Sequence, residues 1–126
     1  MSTPFALIIE DDPKLGSIFS TALGAIGFET NLDPDGSHYK ELIEARLPDI
    51  ILLDFHLPFA SGAEILSLLR SDERWRSIPV VLMTADFAKA RSLENQVDMV
   101  LIKPIGVSRI QEAARKIIST KDFDRA

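Results

Sequence analysis

The chain has 126 residues, 46% hydrophobic and 26% charged, which is the size and balance of one globular domain. Lys and Arg number 14 against 19 Asp and Glu, for a formal net charge of -5; non-specific nucleic-acid binding needs a basic surface to displace phosphate counterions, and this balance argues against it. Cysteine is absent, which excludes disulfides, zinc–thiolate sites, iron–sulfur clusters and thiol catalysis together and fits a reducing compartment.

The opening Met1-Ser2-Thr3-Pro4 lacks the basic start and apolar stretch of a secretory signal, and no apolar run approaches the ~20 residues of a membrane span. The expectation is a cytoplasmic protein with no membrane association. Phe5-Ala6-Leu7-Ile8-Ile9 has the length of a strand and is apolar on both faces, as central strands of helix-covered parallel sheets are. Leu15, Ile18, Phe19, Ala22, Leu23 and Ile26 then recur at helical spacing. Asp12 offers an N-cap ahead of Pro13, and Gly27 suits a left-handed cap at the far end. Phe28 to Leu32 is a weaker strand, and Ser37 to Arg46 a second helix with Leu42, Ile43 and Ala45 apolar.

Ile50 to Leu53 repeats the pattern of a buried strand. Ser61 and Glu64 form an S-x-x-E capping box ahead of Ile65, Leu66, Leu68 and Leu69. Val80 to Met83 is a fourth strand. The helix after it falls somewhere in Ala88 to Asn95, and with only Ala88, Ala90 and Leu93 apolar it should be short and loosely held. Met99 to Ile102 is a fifth strand, and Val107, Ile110, Ala114 and Ile117 mark a last amphipathic helix. Strand and helix alternate throughout. The predicted fold is therefore α/β: five parallel strands with helices on both faces and right-handed crossovers, in a single domain over 1–126 with its core at about 4–120.

In such a sheet the polar groups at the carboxyl ends of the strands converge on a crevice where ligands bind. Those groups are Glu10, Asp11 and Asp12 after the first strand, Asp54 after the third, Thr84 after the fourth, and Lys103 with Pro104 after the fifth. Crowded carboxylates repel, and a hard divalent cation with oxygen ligands, such as Mg²⁺, compensates them. A cation-binding carboxylate set beside an ammonium and a hydroxyl is equipment for phosphoryl transfer, and an Asp can itself serve as the nucleophile.

The motifs Ile8-Ile9-Glu10-Asp11-Asp12-Pro13, Ile50 to Pro58 around Asp54, Met83-Thr84-Ala85 and Lys103-Pro104 resemble the receiver domain of two-component response regulators, as does the placing of Pro58 and Gly62 after Asp54. The resemblance covers nearly the whole chain. It implies the flavodoxin-like (βα)5 fold with strand order 2-1-3-4-5. It implies Asp54 as phosphoacceptor, with Mg²⁺ held by Glu10, Asp11, Asp54 and the main-chain carbonyl of His56. Thr84 and Lys103 would stabilise the phosphoryl group, and the Lys103–Pro104 bond would be cis. A histidine kinase or phosphotransfer protein would be the donor, and output would pass to an unidentified downstream protein by contact. Such a domain is not an enzyme beyond slow self-catalysed phosphorylation and dephosphorylation.

The sequence departs from that family at the position three before the Lys, where Val100 replaces the usual rotating Tyr or Phe, and in a shortened interval between Thr84 and Lys103. Two alternatives follow. One is an interaction module of the same fold with little phosphorylation-dependent switching. The other is a haloacid-dehalogenase-like phosphatase, against which stands the missing second acid in Asp54-Phe55-His56. Other residues have plainer readings. Asp12 caps a helix, His56 points its side chain out of the site, His38 lies on the surface at the second helix, and Trp75 packs or is partly exposed. Phe55 and Phe59 pack or meet a partner, and Phe87 packs rather than replacing the switch aromatic.

Overall fold

The computed structural model describes residues 3–125, with side chains described for 3–120. Five strands, β1 (Phe5–Ile9), β2 (Glu29–Asp33), β3 (Ile50–Asp54), β4 (Val80–Thr84) and β5 (Met99–Ile102), form one parallel sheet in the order β2-β1-β3-β4-β5. Between and after them run α1 (Pro13–Gly24), α2 (Tyr39–Ala45), α3 (Gly62–Ser71), α4 (Phe87–Ala90) and α5 (Val107–Arg125), with a 3-10 helix over Arg91–Gln96 after α4. No helix among the described residues is long and apolar enough to cross a membrane.

Apart from the polar edge strand β2, the strands carry apolar residues on both faces because both are covered, and alternate residues feed two cores. Ala6, Ile8, Ile50, Leu52, Val81 and Met83 pack with Phe19 and Leu23 of α1 and Ile110 and Ala114 of α5. Leu7, Ile9, Ile51, Leu53, Val80 and Leu82 pack with Ile43 of α2 and Ile65, Leu66 and Leu69 of α3. Trp75, after α3, is buried at the edge of the second core with the Arg74 guanidinium 4.4 Å over its ring. Gln111 of α5 donates to the Ala22 carbonyl of α1 at 2.9 Å, tying the two helices of the first core together.

The helix ends follow their sequence signals. Asp12 accepts from the N–H groups of Lys14 and Leu15, capping α1. At its other end Gly27 adopts φ 98°, while Phe28 N–H bonds Leu23 O and Gly27 N–H bonds Gly24 O. That pair of bonds is a Schellman closure, for which a residue without Cβ is suited. Ser61 Oγ accepts from Glu64 N–H at 3.1 Å at the start of α3. The weakly patterned stretch after β4 gives one α-turn and a 3-10 helix with no buried residue, as its sparse apolar positions imply. Arg70 of α3 holds this stretch in place, donating to the carbonyls of Gln96 (2.8 Å), Arg76 (2.9 Å) and Ile78 (2.8 Å).

A candidate acidic phosphoryl-transfer pocket

Strand order places the pocket. The chain leaves β1 toward β2 on one side and returns to β3 on the other, so the β1 and β3 ends flank the gap that this reversal opens. Glu10 and Asp11 follow β1, Asp54 and Thr84 are the last residues of β3 and β4, and Lys103 follows β5. Glu10, Asp54 and Thr84 are buried; Asp11 is exposed at the mouth.

Glu10, Asp11 and Asp54 bring carboxylate oxygens within 4.8 Å of one another. The Lys103 ammonium sits between two of them, 2.8 Å from Glu10 Oε1 and 3.2 Å from Asp54 Oδ1. Glu10 Oε2 accepts from Asp12 N–H at 3.2 Å, and Asp54 Oδ1 from His56 N–H at 3.4 Å. Three carboxylates against one ammonium leave an excess of negative charge. Burial, reinforced by the Glu10 hydrogen bond and charge and opposed by Lys103, pushes the Asp54 carboxyl from 3.8 up to about 7. Burial works against the Lys103 charge, but the hydrogen bond to Glu10 and the Asp54 carboxylate outweigh it, and its pKa is raised. A hard cation with oxygen ligands suits this set: the donors are all carboxylates, they converge, and their charge is incompletely met.

The loop after β3 depends on Gly62. A Cβ there would lie 2.7 Å from the Asp54 carbonyl oxygen and 2.8 Å from Phe55 Cα, both backbone atoms that cannot swing aside. Gly62 N–H bonds Phe55 O at 2.9 Å, closing the loop against the strand end. Phe55 is half-buried, His56 is exposed and meets the Phe55 ring edge-on at 4.9 Å, and Phe59 is 71% exposed. Asp11, Phe55, His56, Leu57, Pro58 and Ser61 line a cleft of about 310 Å³ beside the carboxylates. The Lys103–Pro104 peptide is cis.

Thr84 lies at the strand end, but its hydroxyl is occupied: it accepts from Asp86 N–H at 2.9 Å and donates to Asp86 O at 3.2 Å. Val100 is half-buried and packs against the second core, and Phe87, read from sequence as packing, is 45% exposed. Asp33 escaped the sequence reading. This fully buried carboxylate accepts from the N–H groups of Asp35, Gly36 and His38 and so shapes the loop after β2, whose Asp-Pro-Asp-Gly run was the available signal. Asp33, Asp35 and His38 also converge, but the Asp33 oxygens are already spent on backbone donors.

Comparison with known proteins identifies the family and the fold. The family model of the response regulator receiver domain matches residues 6–115. The chain is 32% identical over 119 residues to the polar-differentiation response regulator DivK of Brucella ovis, covering 92% of this chain and 97% of DivK. It is 32% identical over 122 residues to the DNA-binding dual master transcriptional regulator RpaA of Synechocystis sp., covering 94% of this chain but only 51% of RpaA. Its backbone is similar to the receiver domain of a putative LuxO repressor protein from Vibrio parahaemolyticus, with a TM-score of 0.89 at 20% identity over 98% of this chain and 96% of that one. The chemotaxis response regulator CheY4 of Vibrio cholerae gives 0.85 at 18% identity over 92% and 99%. Receiver domains are signalling rather than classical enzymatic domains, they typically bind Mg²⁺ in an acidic pocket, and they interact with histidine kinases or phosphotransfer proteins. The chain belongs to the receiver-domain family of two-component response regulators.

Proposed function

We propose that this chain, as one receiver domain over 1–126, accepts a phosphoryl group on Asp54 from a phosphohistidine of a kinase or phosphotransfer protein. The observation that carries the reading is the buried Asp54 carboxylate, converging with Glu10 and Asp11 on one side and 3.2 Å from Lys103 Nζ on the other. An Asp54 oxygen attacks phosphorus. The bond from phosphorus to the donor imidazole nitrogen breaks, and its electron pair leaves with the imidazole, which takes a proton from solvent. Glu10, Asp11, Asp54 and the His56 carbonyl would hold Mg²⁺, which when bound supplies positive charge to the phosphoryl oxygens. Lys103 supplies a second, fixed positive charge. Thr84 donates to a phosphoryl oxygen once its bond to the Asp86 carbonyl is released.

Incubation with Mg²⁺ and acetyl phosphate followed by mass spectrometry tests the assignment. Wild type gains one phosphate and Asp54→Asn gains none; equal labelling of the two overturns it. A second reading, an interaction module with little switching, is favoured by Val100 and the one-turn α4. Amide spectra with beryllofluoride discriminate: shifts confined to the pocket support the second reading, and shifts reaching 87–96 support transmission through α4.

A further inference from the structure

The loop between β2 and α2 stands beside the acidic pocket and is built around charge. Asp33, fully buried at the end of β2, takes the N–H groups of Asp35, Gly36 and His38 on its carboxylate, and its carbonyl accepts from Glu10 N–H at 3.2 Å. The His38 ring reaches this turn, with Nδ1 3.3 Å from Asp35 Oδ1 and 3.6 Å from Asp33 Oδ1. Ser37 Oγ gives its one proton to Asp35 Oδ1 at 2.6 Å, so the Nδ1 that lies 3.0 Å from it is the donor of that pair and carries a proton. The other ring nitrogen is left to take up or release one, and the side chain is 53% exposed. Burial works against the His38 charge, but the hydrogen bond to Asp35 and the charges of Asp35 and Asp33 outweigh it and raise its pKa above the usual 6.5. Among the groups around it, Lys40 and Glu41 of α2 are exposed. Glu64 of α3 acts on Tyr39, whose pKa is raised by burial and by the Asp33 and Glu64 charges, so that it stays neutral over the range in which His38 titrates. On its other side the turn rests on the loop after Asp54: a Cβ on Gly36 would lie 3.2 Å from Leu57 Cδ1 and 3.5 Å from Ile65 Cδ1.

We propose that the β2–α2 loop is a proton-responsive brace for the loop after Asp54: His38, when its imidazole is charged, draws Asp33 and Asp35 together and holds Gly36 against Leu57. Two carboxylates in one turn repel, and an imidazolium within reach of both removes that repulsion. With His38 neutral the repulsion returns, the turn loosens and Gly36 withdraws from Leu57. The brace is complete below about pH 6.5 and is lost as pH rises through the higher value that His38 has in the folded protein. Leu57 follows His56, whose carbonyl belongs to the proposed Mg²⁺ set, and it lines the cleft beside the carboxylates. A braced loop presents that carbonyl in place, so Asp54 is labelled faster with His38 charged. The brace stands without the Asp54 chemistry, whereas its effect on labelling rests on the proposed function.

The chain has two histidines, so the double variant Asp54→Asn, His56→Gln leaves His38 as the one imidazole, and NMR from about pH 5 to about pH 9 follows its ring beside the Leu57 methyls and the Gly36 amide. The Leu57 and Gly36 signals move with the midpoint of the ring, and adding His38→Gln abolishes that movement. Leu57→Ala lowers the ring midpoint toward 6.5, because coupling between protonation and packing is reciprocal. With Asp54 and His56 intact, acetyl phosphate labelling of wild type is divided by that of His38→Gln at each pH, so that the titration of Asp54 itself cancels. Wild type is several-fold faster at the acid end, and the two rates converge at the alkaline end; His38→Lys, charged throughout, keeps the fast rate there. Leu57 signals that ignore the His38 ring, or that titrate unchanged after His38→Gln, overturn the brace, and a labelling ratio that is the same at every pH overturns its effect on Asp54. A wild type that takes no phosphate counts against Asp54 as phosphoacceptor alone, and the ring titration still decides the brace.

Discussion

Asp54 is held in a setting that disfavours its own charge. Its carboxyl titrates at about 7 in the folded protein against 3.8 ordinarily, so the native state binds that proton more tightly than the unfolded chain does. Stability therefore falls as pH rises from about 4 to about 7, and the whole penalty is present above that window. Asp54→Asn removes it. Urea denaturation at about pH 8 should show the variant more stable by on the order of 1–3 kcal/mol, with the gap closing toward about pH 4. Magnesium should narrow the gap at high pH by favouring the wild-type carboxylate. Gly62 sets a steric limit in the same place. Gly62→Ala drives a methyl into the Asp54 and Phe55 backbone, and we expect a loss of about 1–3 kcal/mol with slower acetyl phosphate labelling. At this scale the polar set was legible because each member stands at the end of an apolar run. The engagement of Thr84 with Asp86 was not, since a hydroxyl carries no sequence mark of its partner.

At the scale of elements, capping chemistry and periodicity were readable where they were strong. Gly27 and the Ser61 cap fell where their residue types place them, and the thin pattern at Ala88 to Asn95 became a single α-turn and a 3-10 helix. Arg70 was hidden. A cation in a helix's last turn reads as a surface charge facing the helix dipole, yet here it satisfies three carbonyls of two other segments. Arg70→Met keeps the aliphatic stem and strands those carbonyls, with an expected cost of about 1–3 kcal/mol. Exchange of amides in 91–98 should quicken while α1 and α5 are unaffected. Ser61→Ala, which removes one cap bond, should cost about 1 kcal/mol in the same denaturation assay.

For the whole molecule, alternation of strand and helix was enough to fix a parallel sheet covered on both faces, because only burial on two sides explains strands without polar residues. The order of the strands came from likeness to a family. Local pattern does not say which neighbour a strand takes, and pairing joins residues as distant as Ala6 and Ile50.

The molecule's single tryptophan lies just before the start of β4, at the opposite end of that strand from Thr84. Its indole is shielded by protein on nearly every side and capped by a guanidinium. Its fluorescence should therefore redden sharply when the fold is lost and stay constant when magnesium or beryllofluoride is titrated in. The protein carries a built-in gauge of folding that is deaf to signalling, and optical detection of pocket occupancy calls for a dye placed at the sheet's other rim.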